Sequence, residues 1–224
     1  MNKREIIANT EAFVKTTLKD AEGGHDWFHI LRVWNNAKQL AKHEKVDLFV
    51  TELGALLHDI ADSKFYNGDE TIGPKIAREF LESQQVESAI ITHVEQIISN
   101  ISFKSCLPTT KNQGIKPRFT SPELDVIQDA DRLDAIGAIG IARCFNYGGY
   151  KNRPLYNPEI KPILNQSKEA YKNSTAPTIN HFYEKLLLLK DKMNTKTGKQ
   201  IAYERHYFME QFLAQFYDEW DGKK

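Results

Sequence analysis

Apolar residues in this chain recur three and four positions apart almost from end to end, and strict alternation is nearly absent. That spacing follows the 3.6-residue turn of an α-helix, not the two-residue repeat of a strand. The sequence therefore predicts an all-α fold, with helices over about 2–19, 26–43, 47–59, 71–83, 86–100, 122–145, 178–193 and 197–220. Thr71 and Ser121 read as helix caps, the latter followed by Pro122 at the first helical position. Tyr203, Tyr207, Phe208, Phe212, Phe216 and Tyr217 stand at helical spacing and are expected in the core. Two stretches, 103–121 and 146–177, break the pattern with proline, glycine and lysine. Loops of that length inside a compact domain are usually functional or mobile.

Several of these apolar helices carry a polar group where an unpaired charge would be costly. His29 interrupts the helix with Trp27, Ile30, Leu31, Trp34 and Leu40. The run Leu53, Ala55, Leu56, Leu57 ends on His58-Asp59. Asp129, Asp131 and Asp134 punctuate a segment rich in Ile, Leu and Ala. Two imidazoles and two carboxylates suit one divalent metal, which would settle all four groups at once. A His-Asp pair alone says little, since 7 His and 13 Asp in 224 residues give about 0.4 by chance and His25-Asp26 matches too. Adjacent residues on a helix lie about 100° apart, so both members of a pair can reach one ion. Asp129 and Asp131, about 200° apart, cannot both do so.

Taken together, HDWFHILRV, LLHDIADSKF, THVEQIISNISFK and QDADRLDAIGAIGIAR resemble the small bacterial branch of the HD-domain metal-dependent phosphohydrolases, over roughly residues 20–150. The resemblance implies a compact helical HD bundle, one domain over 1–224, with the C-terminal helices 178–220 packed on the motif core and the two long loops near the active site. It implies His29, His58, Asp59 and Asp131 as metal ligands, Asp131 being favoured over Asp129 because it stands before the arginine of Ala-Asp-Arg-Leu. Asp59, as a charged ligand, and Asp62, three positions after it, are the implied catalytic carboxylates, Asp62 as the base that orients water. Extra histidines in such enzymes bind a second metal or protonate the leaving group, which makes His93 a further candidate. Asp134 shares a face with Asp131 and could hold a ligand or a water.

A phosphorylated substrate also needs cations. Arg32, one turn after His29, together with Lys64, Lys104 and Arg132, are the candidates, and His25 is expected near the site on the substrate side. The mixed N/O ligand set favours Mn²⁺, with Fe²⁺, Co²⁺, Ni²⁺ or Zn²⁺ also suited and Mg²⁺ less so. The expected activity is hydrolysis of a small phosphorylated molecule, most simply a nucleotide, and in one form of a nucleoside triphosphate to monophosphate and pyrophosphate. Alarmone hydrolysis is an alternative, but those enzymes follow the pair with Glu-Asp, where this chain has Ile60-Ala61-Asp62. A non-catalytic nucleotide-binding module is the alternative from another class, and such modules lose ligands that are all present here.

Lys and Arg equal Asp and Glu at 30 each, which gives no bias toward nucleic acid or an anionic membrane. Cys106 and Cys144 are expected as free thiols in a reducing compartment. No signal segment and no 18-residue apolar run are visible, so the expected location is cytoplasmic.

Overall fold

The computed structural model describes residues 1–21, 24–61, 69, 71–101, 119–164, 166 and 174–224. Among them there are helices and no strand. They are α1 (Lys3–Thr17), α2 (Trp27–Ala41), α3 (Leu48–Leu57), α4 (Ile72–Ser83), α5 (Ser88–Asn100), α6 (Pro122–Asp134), α7 (Gly137–Tyr150), α8 (Asn180–Glu184), a 3₁₀ turn (Leu186–Lys192) and α9 (Lys196–Trp220). The chain divides into two compact units, Met1–Asp131 and Arg132–Lys224, with α6 running through the division. No described helix is long and apolar enough to cross a membrane.

In the first unit α3 is the central rod, packed against α1, α2 and α5, while α4 lies on α5. Phe49, Val50, Leu53, Ala55, Leu56 and Leu57 are all buried, so most of α3 lies in the core, with Leu48 and Glu52 at its outer edge. Gly54 allows this closeness: a Cβ there would stand 2.6 Å from Ile127 Cδ1 of α6. The helix starts are fixed by short side chains. Asn2 and Glu5 form a reciprocal capping box on α1. Asp26 accepts from His29 N at 2.9 Å, Asp47 from Phe49 N at 2.8 Å, and Ser121 Oγ from Leu124 N at 3.1 Å. Thr71 stands at the start of α4 but caps nothing, because its hydroxyl donates to Asp69 at 2.7 Å.

In the second unit α9 packs on α7 and on the 3₁₀ turn. Phe145, Phe182, Phe212, Phe216, Tyr156 and Trp220 make a chain of ring contacts. The aromatic run on α9 is only half core. Phe212, Phe216 and Tyr217 join the ring cluster, whereas Tyr203, Tyr207 and Phe208 are 68%, 56% and 48% exposed. The buried stripe on this helix is instead Ala202, His206, Met209 and Leu213. The helix expected over 122–145 is two helices. Ile136 is extended and Gly137 has φ +76°, a value that strains any residue with a Cβ. The helix expected over 178–193 likewise divides into α8 and the 3₁₀ turn. Residues 146–150, expected in a loop, complete α7.

Candidate metal centre

The first unit brings His29, His58 and Asp131 together. One ligand atom from each lies within 4.8 Å of the others. His29 is the third residue of α2 and is 2% exposed, and its Nε2 is 3.5 Å from Asp131 Oδ1. Asp131 comes from α6, near the end of that helix, and is half-buried. His58 is the residue on which α3 ends. Its Nδ1 donates to the carbonyl of Ala55 at 2.8 Å, which leaves Nε2 as the ring's acceptor. That Nε2 is buried and has no hydrogen-bond partner among the described residues. The His29 and His58 rings stand edge to face, 5.4 Å between centroids.

A buried imidazole acceptor with nothing to accept is costly unless something fills the role. A divalent cation fits that position. The donor set is two ring nitrogens and a carboxylate, and the other nitrogen of His58 is anchored on a backbone carbonyl, the kind of bond that fixes the tautomer of metal-binding histidines.

Asp59 lies just beyond α3, and its Oδ2 pairs with His25 Nδ1. Burial pushes its carboxyl up. The bond from His25 and the charges of His25, His58 and His29 more than offset that and hold it well below the ordinary carboxylate range. His25 thus has a partner that the sequence did not reveal, a carboxylate 34 residues away. Asp129 is fully buried, and the three-residue group contains Asp131 in its place.

The other candidates are dispersed. Arg32 is half-buried on α2, one turn after His29. His93 Nε2 is 3.0 Å from Ser121 Oγ and 3.5 Å from Glu123 Oε2, with its ring edge to face against Phe119. Glu123 is itself buried and accepts from Asp47 N at 2.8 Å, so this cluster ties α5 to the starts of α3 and α6. Sequence reading took Ser121 only as a cap and passed over Glu123; its one signal was an acid in the first turn of a helix. In the second unit, Arg132 donates to Lys192 O at 2.5 Å, and Asp134 pairs with Arg143 at 2.5 Å. Asp62, Lys64, Lys104 and Cys106 lie outside the described residues. Cys144 is a free thiol that burial pushes up to about 12, which makes it inert.

Comparison with known proteins agrees with this geometry. The HD domain family profile matches residues 27–136, which include all three grouped residues. YpgQ of Bacillus subtilis is 37% identical over 217 residues, covering 96% of this chain and 94% of that protein. An HD-superfamily hydrolase from Bacillus thuringiensis has a crystal structure that superposes with a TM-score of 0.77 at 44% identity, covering 98% of this chain and 99% of that one. The crystal structure of B. subtilis YpgQ in complex with ADP superposes with a TM-score of 0.72 at 33% identity, over 95% and 97% of the two chains. With an all-helical fold, a His-His-Asp group in the matched segment and relatives aligned over nearly their full length, the chain belongs to the HD-domain superfamily.

Proposed function

We propose that the protein is a metal-dependent phosphohydrolase acting on a soluble nucleotide. The observation that carries this reading is His58 Nε2, a buried acceptor without a partner that shares one small volume with a His29 nitrogen and an Asp131 oxygen. His29, His58, Asp59 and Asp131 are the proposed ligands, and their N/O mixture suits Mn²⁺ better than Mg²⁺. The ion, when bound, supplies Lewis-acid activation of water and of the phosphorus centre.

The chain's own residues do the remaining work. The Ala55 carbonyl keeps the His58 proton on Nδ1 and its lone pair on Nε2. The burial of His29 and His58 keeps bulk water off the ligand nitrogens and strengthens every charge interaction there. Asp62 is the proposed base that orients the attacking water. Arg32, Lys64 and Lys104 are the proposed partners of the phosphoryl oxygens. Arg132 Nη1 already donates to Lys192 O and His93 Nε2 lies against Ser121 and Glu123, so each would meet substrate through its other nitrogens or by exchanging these partners. A nucleotide is favoured over other phosphate compounds because a relative this similar was crystallised with ADP. Cleavage of a triphosphate to monophosphate and pyrophosphate is the finer form of the proposal.

The test is anion-exchange analysis of a mixed pool of nucleoside mono-, di- and triphosphates incubated with Mn²⁺ and either wild type or Asp59→Ala. Consumption of particular nucleotides by wild type alone is expected, and the released phosphate or pyrophosphate names the bond cut. No consumption by wild type with Mn²⁺, Co²⁺, Ni²⁺ or Mg²⁺ would overturn the nucleotide hydrolase and leave a binding module.

A further inference from the structure

His25 stands immediately before Asp26, the residue that caps α2, and so just outside the helix that carries His29. Gly24 precedes it with φ +146°, a backbone shape that only glycine takes readily, although no neighbouring atom would obstruct a side chain there. The bend and the cap together fix where the His25 ring starts. The ring then stands edge to face against His29, 5.9 Å between centroids, and its Nδ1 meets Asp59 Oδ2. A carboxylate oxygen accepts, so in this contact Nδ1 is the donor.

The two oxygens of Asp59 are used unequally. Oδ2 takes the His25 bond, whereas Oδ1 takes no hydrogen bond among the described residues. Asp59 follows His58 directly in the chain, and the His25 ring that holds it stands against His29, so it adjoins two of the three grouped residues. It is thus a side chain with one oxygen anchored and the other uncommitted, next to the imidazoles proposed to hold the ion. A carboxylate left to rotate at the end of α3 would lose that freedom when it ligated, and the anchor removes part of that cost beforehand.

We propose that His25 is a positioning residue for the metal centre, anchoring Oδ2 of Asp59 so that Oδ1 serves as the fourth protein ligand beside His29, His58 and Asp131. This rests on the metal-centre reading above. It gives His25 a role distinct from substrate contact, and it explains why this chain has two His-Asp pairs so close to one site. The second, His58-Asp59, supplies ligands. The first supplies a cap through Asp26 and an anchor through His25. A competing arrangement, in which His25 draws Asp59 away from the ion, predicts the opposite sign for the same substitution.

The experiment is titration of the full chain with Mn²⁺ alone, following free Mn²⁺ by its EPR signal, for wild type, His25→Ala, His25→Asn and His25→Gln. Melting curves in EDTA establish that each variant is folded. The asparagine amide nitrogen falls near the Nδ1 position, and that of glutamine falls near Nε2. Wild type should bind Mn²⁺, His25→Ala should bind about 10–100-fold more weakly, as expected for loss of a ligand's outer partner, and asparagine should restore most of the loss where glutamine does not. If alanine fails to fold, the asparagine–glutamine contrast still decides. Affinity that is unchanged or tighter in His25→Ala, or equal for asparagine and glutamine, would overturn the positioning role while leaving the metal centre intact. A wild type that takes up no Mn²⁺ would instead remove the metal-centre reading beneath it.

Discussion

The two units of this chain bury polar groups for opposite ends. In Met1–Asp131 the buried or half-buried His29, His58 and Asp131 converge from α2, the end of α3 and α6, and one nitrogen is left unpartnered on His58. In Arg132–Lys224 the core is a file of aromatic rings, and the ionisable groups beside it are silenced: burial pushes His181 down to about 3, with Lys185 and Arg153 adding to the shift. The second unit has an orphan nitrogen as well, His206 Nδ1, yet the one ion-pair partner of that ring among the described residues is the exposed Glu210, at 3.2 Å from Nε2. A buried acceptor without a partner is therefore not enough to mark a site. What separates His58 from His206 is a second imidazole and a carboxylate within reach of the same point.

The largest effect that would break this contrast is on metal uptake. His58→Ala and Asp131→Ala should each abolish Mn²⁺ binding in equilibrium dialysis and with it all nucleotide turnover, whereas Asp129→Ala should retain both in reduced measure. The reverse ranking of the two aspartates would mean that the wrong carboxylate has been placed in the group. Next in size is the aromatic core: Phe182 is fully buried, and Phe182→Ala should cost about 3–5 kcal/mol in urea unfolding. The increment in Tm produced by Mn²⁺ should survive in that variant, because none of the grouped ligands is in its unit.

A smaller, pH-dependent effect follows from His181. Its folded value is about 3 and its ordinary value about 6.5, so between these the unfolded chain binds a proton that the folded chain refuses. Stability from this residue is full above about 6.5 and is lost as pH falls toward 3. Between pH 7 and 5, wild type should lose about 2 kcal/mol more than His181→Asn, read from urea midpoints. Parallel pH profiles would show that His181 is not desolvated in the folded state. Smallest of all, Tyr203→Ser should change stability by less than about 0.5 kcal/mol, since that ring lies in solvent. A loss above 2 kcal/mol would return Tyr203 to the core.

What could be read from the sequence was whatever repeats locally. Helical spacing gave the all-α class, and His29 with His58 stood out because each breaks an otherwise apolar stripe. Asp131 could be preferred to Asp129 only through the resemblance, since both lie among the same apolar neighbours; helix geometry said merely that one ion could not take both. The break after Asp134 was hidden, because the Ile and Ala rhythm runs straight through it and only the backbone of Gly137 turns. The exposure of Tyr203 and Tyr207 was hidden for a related reason: helical spacing defines a face but does not say which neighbour covers it. Pairings distant in sequence, His25 with Asp59 and His93 with Glu123, left no local trace at all.

The most direct test of the account is pulsed EPR of Mn²⁺ bound to the wild-type chain and to His58→Gln, which counts the nitrogens coupled to the ion. Two imidazole nitrogens in wild type, with one or none or no bound Mn²⁺ in the variant, is the predicted result. Bound Mn²⁺ with no nitrogen coupling in wild type would place the ion elsewhere and contradict the centre described here.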